Sequence, residues 1–412
     1  MANPPDTQYQ HYIPQFLLRN FSHPYTGPEA VKKKKKRRPK IDFSSLRLYL
    51  GDPAVHSLTL DSSPPKIVEL PVKHIFGITN MYKYNGDNKL TRKEQNIVEE
   101  KLSKLEGKAA YIIKKFIAAQ MKEIDTVSIT REEKDTLRKF LFVMKYRSPI
   151  FFKRFNYQTP EGYISDDKHI FRPYMREKGF KRPLDVWLHN LCEIIGLDMS
   201  PGKNWREKLR TSIYPPDAEW FVIHYDTMYM AFATPSDQSD EFILTDNAFS
   251  VYEGPVSYSV DRETGRKIET CYTEFHVLNV VSPRLILLLR STLLPEKNQD
   301  ANSEVQKMRK LLLDVHMSLH SDPDSAIQSE LSELPVLYPG NSYLKLVNGR
   351  TILRSSQDES PSKTDAFAYT IFQLPTKQTQ LLNSVILDQA SMACNIVFRT
   401  KKYLHKALAY YL

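Results

Sequence analysis

Ile97, Val98, Leu102, Leu105, Ala109, Ile112, Ile113 and Phe116 recur every three or four residues, the spacing that lines one face of an α-helix with apolar side chains. Thr91 and Glu94 stand ahead of them as a capping box, in which each residue satisfies a free N–H of the first turn. A second box, Thr130 and Glu133, precedes Leu137, Phe140, Leu141 and Met144. Together these predict an antiparallel helix pair joined near 125–129. The second helix must end or kink at Ser148-Pro149, which leaves Arg147 at a distorted turn. Further helical patterns cover 184–195, with Gly196 near its end, 304–320, 377–393 and 401–412.

Alternation and short apolar runs predict strands over 44–50, where Leu46, Leu48 and Leu50 share a face, and over 66–72. More follow at 220–225, 228–233, 241–245, 272–280, 285–290 and 368–374, and a hairpin at Asn348-Gly349 follows 343–347. Residues 151–181 are aromatic and basic without a period and support no assignment. Segments 322–335 and 355–364 are polar, proline-containing loops, and 261–265 is a turn between strands. Helices thus gather in the first half and at the end, with strands between them, which predicts an α+β fold and not an alternating βαβ one. Its parts are an N-terminal short helix and antiparallel helix pair, a central mostly antiparallel sheet and C-terminal helices. The expected organisation is one large domain, 1–412, with inserted loops at 22–40 and 322–361. The alternative division is a mainly helical 1–200 followed by sheet and C-terminal helices in 201–412.

Composition sharpens this in three ways. A chain of 412 residues that is 41% hydrophobic and 26% charged can bury a sizeable core. The formal charge of +10 is local: Lys32, Lys33, Lys34, Lys35, Lys36, Arg37, Arg38 and Lys40 supply eight charges, and setting them aside leaves +2. This run reads as a nuclear-import signal with an import receptor as its partner. Nucleic-acid association through 32–40 is the weaker reading, because no aromatic residue interrupts the run to stack on bases. Residues 1–9 are polar and carry no signal-peptide segment, and the apolar run 285–289 is too short to cross a bilayer. Cys192, Cys271 and Cys394 are widely spaced and form no C-x-x-C pair. The expected location is therefore nuclear or cytoplasmic, neither secreted nor membrane-spanning, with reduced thiols.

Thirteen glycines include no G-x-x-x-x-G-K-[ST], G-x-G-x-x-G or G-x-S-x-G pattern, which removes the nucleotide-cradling loop and the hydrolase nucleophile elbow. His316 and His320 have the i, i+4 spacing of a shared metal but no third ligand, and read as exposed or capping histidines. The Glu-x-Lys occurrences at Glu99, Glu106 and Glu132 fall on predicted helices, away from the strands a magnesium nuclease would use. No metal site and no cofactor follow from the sequence. The polar groups best placed for chemistry lie in Gln10-His11-Tyr12-Ile13-Pro14-Gln15-Phe16-Leu17-Leu18-Arg19-Asn20-Phe21. There Pro14 opens a short helix and His11 sits just before it. Asp246, within Thr245-Asp246-Asn247 at a strand end, either orients His11 or closes an Asx-turn.

The opening stretch resembles the N-terminal signature of the domain of unknown function 4238 family. Weaker similarities follow in order at 99–116, Arg147-Ser148-Pro149, Thr245-Asp246-Asn247, Ser282-Pro283 and 383–390. Ala248 departs from the family's Ser-Asp-Asn-Pro pattern, and loss of that proline loosens the turn after Asp246. The resemblance supports the organisation and implies no activity for these residues. Three readings follow. In one, the chain is a polar-cleft enzyme or former enzyme that binds an anionic ligand: His11 and Asp246 are catalytic, and Gln10, Arg19, Arg147 and Asn247 bind the ligand. In another, it is a nuclear interaction or structural protein in which the same residues clamp the N-terminus. The last is nucleic-acid association through 32–40.

Overall fold

The computed structural model describes residues 7–27, 48–60, 63–83, 96–260, 267–320, 329–353, 361–392 and 394–412. The basic run 32–40, the Thr91/Glu94 capping box, the turn 261–265 and most of the predicted strand 44–50 lie outside them. The fold is α+β. Its helix pair is Ile97–Met121 and Arg131–Tyr146. The Thr130/Glu133 box forms as its spacing requires: Glu133 N–H donates to Thr130 Oγ1 at 3.2 Å and Thr130 N–H to Glu133 Oε2 at 3.0 Å. The link between the helices is itself a strand, Thr126–Thr130, which pairs antiparallel with Ala366–Leu374.

The main sheet runs in the order Gly340–Asn341, Ala366–Leu374, Met228–Pro235, Leu285–Ser291, His276–Ser282, Tyr252–Glu253, with Thr126–Thr130 added against Ala366–Leu374. Every residue of Met228–Pro235, His276–Ser282 and Leu285–Ser291 is buried. These strands are covered on both faces, so they read as continuous apolar runs and not as alternation. Among the described strands one pair is parallel, Ala366–Leu374 with Met228–Pro235. Phe116 of the long helix stacks on Phe232 of the sheet with ring centroids 3.7 Å apart, and one hydrophobic core extends from Tyr12 to Leu404.

A second sheet joins His23–Pro24, Pro53–Thr59, Asn395–Phe398 and Leu244–Thr245, with Lys66–Pro71 paired to Pro53–Thr59. Residues 220–225, expected as a strand, belong instead to the helix Pro215–Asp226. Two prolines at its start and Asp217 in the first turn favour helix initiation. The buried Ala218, Phe221 and Val222 then follow helical spacing, which overrides the β-prone Trp220-Phe221-Val222-Ile223 run. Residues 241–245 form only the short strand Leu244–Thr245. The unassigned 151–181 segment takes in most of the helix Pro149–Phe155 and all of Lys168–Lys178. No helix among the described residues is long and apolar enough to cross a membrane.

Candidate functional site

The opening stretch is fastened to residues 72–82. Tyr9–His11 pairs with Gly77–Thr79, placing His11 opposite Gly77. The Tyr12 N–H donates to the Phe76 carbonyl at 3.0 Å, and the Tyr82 N–H donates to Gln10 Oε1 at 2.7 Å. Pro14, with extended backbone, starts the helix Gln15–Phe21, whose Leu17, Leu18 and Phe21 are buried. Asn20 Nδ2 donates to the Val281 carbonyl at 2.7 Å and holds that helix on the main sheet. His11 is thereby fixed between two rigid elements, with its ring edge-on to Tyr9.

Between the opening stretch and the long helix lies a cleft of about 290 Å³, lined by His11, Pro14, Gln15 and Phe16 on one side and Glu99, Ser103, Glu106, Gly107 and Ala110 on the other. The second group repeats at helical intervals, and its small residues make the space that its two glutamates border. Arg147 caps the C-terminal end of Arg131–Tyr146 and is 1% exposed. Its Nη1 lies 2.7 Å from Glu106 Oε1, and its Nη2 donates to Met144 Sδ at 3.0 Å. A buried guanidinium is stable only when paired, and Glu106 supplies the pair.

Burial shifts the proton affinities beside Arg147, and the Arg147 charge contributes to both. Burial holds the His11 imidazole below its ordinary range; the Val72 carbonyl opposes this, while Arg147 and His74 add to it. Glu99 moves the other way: burial raises its carboxyl, the Glu106 charge raises it further, and Arg147 pulls it back. His11 Nε2 faces the Val72 carbonyl at 3.3 Å. A carbonyl only accepts, so Nε2 carries the proton and Nδ1 is the basic atom. An imidazole of lowered and a carboxyl of raised proton affinity have their proton affinities drawn toward each other, which suits moving a proton.

The remaining predicted residues are distributed differently. Both carboxylate oxygens of Asp246 accept the Cys394 N–H, at 3.1 and 2.9 Å. Asp246 therefore ties its turn to the neighbouring strand, where Thr245 pairs with Ile396, and His11 bonds Val72 instead of this carboxylate. Asn247 is buried in the same turn, and Ala248 N–H bonds Thr245 O at 3.0 Å. The Asp246 charge still bears on the Tyr12 hydroxyl, whose pKa burial raises. Gln10 is buried, its Oε1 held by the Tyr82 N–H and its Nε2 without a hydrogen-bond partner, and Arg19 is exposed with a long 3.4 Å contact to Gln15 Oε1. His316 and His320 diverge: His316 Nδ1 faces the Leu312 carbonyl at 3.0 Å, whereas His320 is held between the Ser257 and Thr273 hydroxyls.

Sequence reasoning missed Glu99 and Glu106 as cleft residues. The signal was their i, i+7 spacing with Ser103, Gly107 and Ala110 on one helix stripe, a polar and small face on an otherwise apolar-patterned helix. It also missed a buried relay in the main sheet. His276 Nδ1 lies 2.8 Å from Glu253 Oε2, and Arg290 Nη1 lies 3.1 Å from His276 Nε2. The Glu253 carboxylate also accepts from Ser329 Oγ and Glu330 N–H. With Glu253, His276 and Arg290 all buried, this group locks strands together.

No curated protein and no solved structure matches the chain. Residues 9–402 match the family described as protein of unknown function (DUF4238), a span that starts one residue before Gln10 and takes in the cleft, Arg147 and both sheets. Since the match covers nearly the whole chain from the opening stretch onward, the protein belongs to that family.

Proposed function

We propose that this chain is an acid–base enzyme of the polar cleft, in which His11 Nδ1 takes a proton and Glu99 supplies or holds one. One observation carries the reading: a single cleft gathers a histidine of lowered proton affinity and a carboxyl of raised proton affinity, both within reach of the charge of one buried guanidinium. Arg147 is a positioning residue, committed to Glu106 below the cleft. Two carboxylates against one neutralised guanidinium suit a small, polar, neutral or cationic ligand. The anionic ligand suggested by Arg19 and Arg147 has less support, because Glu106 already occupies Arg147.

The test is a thermal-shift screen of the full chain against amines, sugars, nucleosides and phosphorylated metabolites. Compounds that raise the melting temperature are then repeated on His11→Gln and Glu99→Gln. Loss of the shift in both variants supports the reading. A shift that survives in both overturns it, and hits confined to phosphorylated compounds return the site to an anionic ligand.

The bonds from residues 10–13 to 72–82 favour a second reading, a structural clamp of the N-terminus. It predicts that His11→Ala lowers stability in a protein for which no ligand is found. From the sequence we also infer nuclear import through residues 32–40. Unchanged nuclear accumulation of a fluorescent fusion lacking those residues would remove that inference.

A further inference from the structure

On the second sheet, strand register places three metal-binding side chains on one face. His23 lies opposite Ala54, and His56, two residues further along the same strand, lies on the same face as Ala54. Glu69 pairs directly with His56 from the other edge. We propose that a nitrogen of each of His23 and His56 and a carboxylate oxygen of Glu69 bind one divalent cation of the zinc class.

One ligand atom from each of the three lies within 4.8 Å of the others. His23 Nδ1 faces the Pro24 carbonyl at 3.2 Å, which assigns the proton to Nδ1 and leaves a lone pair on Nε2. That lone pair lies 3.4 Å from Glu69 Oε1, so two acceptors face each other, an arrangement that either a proton or a metal ion between them relieves. The separation is close to the edge of a tetrahedron of ligands about 2.0–2.1 Å from zinc, which is roughly 3.3 Å. A proton on His23 would satisfy this pair alone. It would leave His56 Nδ1 as it stands, buried and without a hydrogen-bond partner; a metal ion draws all three groups in.

The ligand types and the rings around them narrow the ion. The His23 and His56 rings lie 4.2 Å apart at 32°, and Phe398, opposite His56 on the next strand, stacks on the same imidazole at 5.7 Å. Lys401 and Arg399 place positive charge near His56. Arg399 is itself engaged by the Phe21 and Ser22 carbonyls. Two imidazoles and one carboxylate supply too few oxygens for magnesium or calcium and select a nitrogen-preferring ion. Binding would pin His23–Pro24, the exit of the opening helix, to the sheet.

The experiment uses full-length protein stripped with a chelator and titrated with Co²⁺ or Zn²⁺ alone. The expected result is one equivalent of saturable binding, with the visible absorption of tetrahedral cobalt and a higher melting temperature. Glu69→Gln, at a third-exposed position, and His56→Ala weaken binding by at least about tenfold, while Cys394→Ser leaves it unchanged. X-ray absorption of the zinc-loaded wild-type protein is independent of any variant's folding and should show imidazole ligation without sulfur. Absence of saturable binding, sulfur ligation, or full binding by folded Glu69→Gln and His56→Ala would each overturn the proposal.

Discussion

Arg147 Nη1 sits 2.7 Å from Glu106 Oε1, yet the two partners differ in exposure: the arginine side chain is 1% exposed and the glutamate 25%. Removing either one breaks the pair, but with different consequences. Glu106→Gln strands a positive charge in the interior and is expected to cost about 3 kcal/mol, the lower end for breaking a buried pair. Arg147→Met keeps much of the volume and leaves a glutamate that can turn to water, so it should cost less. Urea midpoints of the two variants check the order, and equal losses would show that Arg147 is compensated by other groups.

Arg147 also bears on His11. Its charge helps to hold the imidazole below the ordinary range, after burial. Because a lowered histidine pKa reflects a penalty on the charged form, removing a nearby cation must lift it. In Arg147→Met, the His11 titration followed by NMR should move upward toward the unperturbed value. No movement would place Arg147 out of electrostatic reach and remove the link on which the acid–base reading leans.

How much of this was legible in the sequence depends on how local each feature is. The Thr130/Glu133 cap and the apolar stripes of the helix pair are short-range patterns and read directly. The 220–225 segment misled because its β-prone residues fall in a helix that tertiary packing selects. The cleft was half legible. His11 and Arg147 stood out as polar residues beside prolines, but Glu99 and Glu106 were two of many charges on a long helix until the opening stretch was laid across them. Asp246 sits where a strand end was expected, yet its partner, the Cys394 N–H, is 148 residues away along the chain. The His23, His56 and Glu69 grouping depends on registers between three separate strands, and a slip of one residue would turn a side chain to the other face.

Gly77 sets how closely the opening strand approaches. A Cβ there would fall 2.5 Å from Tyr9 Cε1 and 2.7 Å from the Gln10 carbonyl oxygen. The ring can move, but the backbone oxygen cannot without disturbing the pairing of His11 with Gly77. Gly77→Ala should therefore destabilise by about 1–3 kcal/mol, and a Tyr9→Ala second change should recover only part of the loss. Thermal or urea unfolding of the single and double variants reads this out, and full recovery would assign the clash to the ring alone.

Asp217 gives the fold a pH dependence whose sign follows from burial. Its Oδ2 accepts from the Tyr146 hydroxyl at 2.5 Å and from Asn190 Nδ2 at 2.9 Å. Desolvation nevertheless dominates, and its carboxyl is raised from 3.8 to about 6, against the opposing pull of Tyr146, Arg154 and Asn190. Between these values the native state retains a proton that the unfolded chain has released, so stability falls as pH rises. The contribution is complete below about pH 4 and lost above about pH 6, and it amounts to roughly 3 kcal/mol at 1.36 kcal/mol per pH unit. Asp217→Asn keeps an oxygen for the Tyr146 hydroxyl and cannot ionise. The stability of the wild type relative to Asp217→Asn should therefore decline by that amount from pH 4 to pH 7, and a difference that stays flat would mean that Asp217 is ionised throughout.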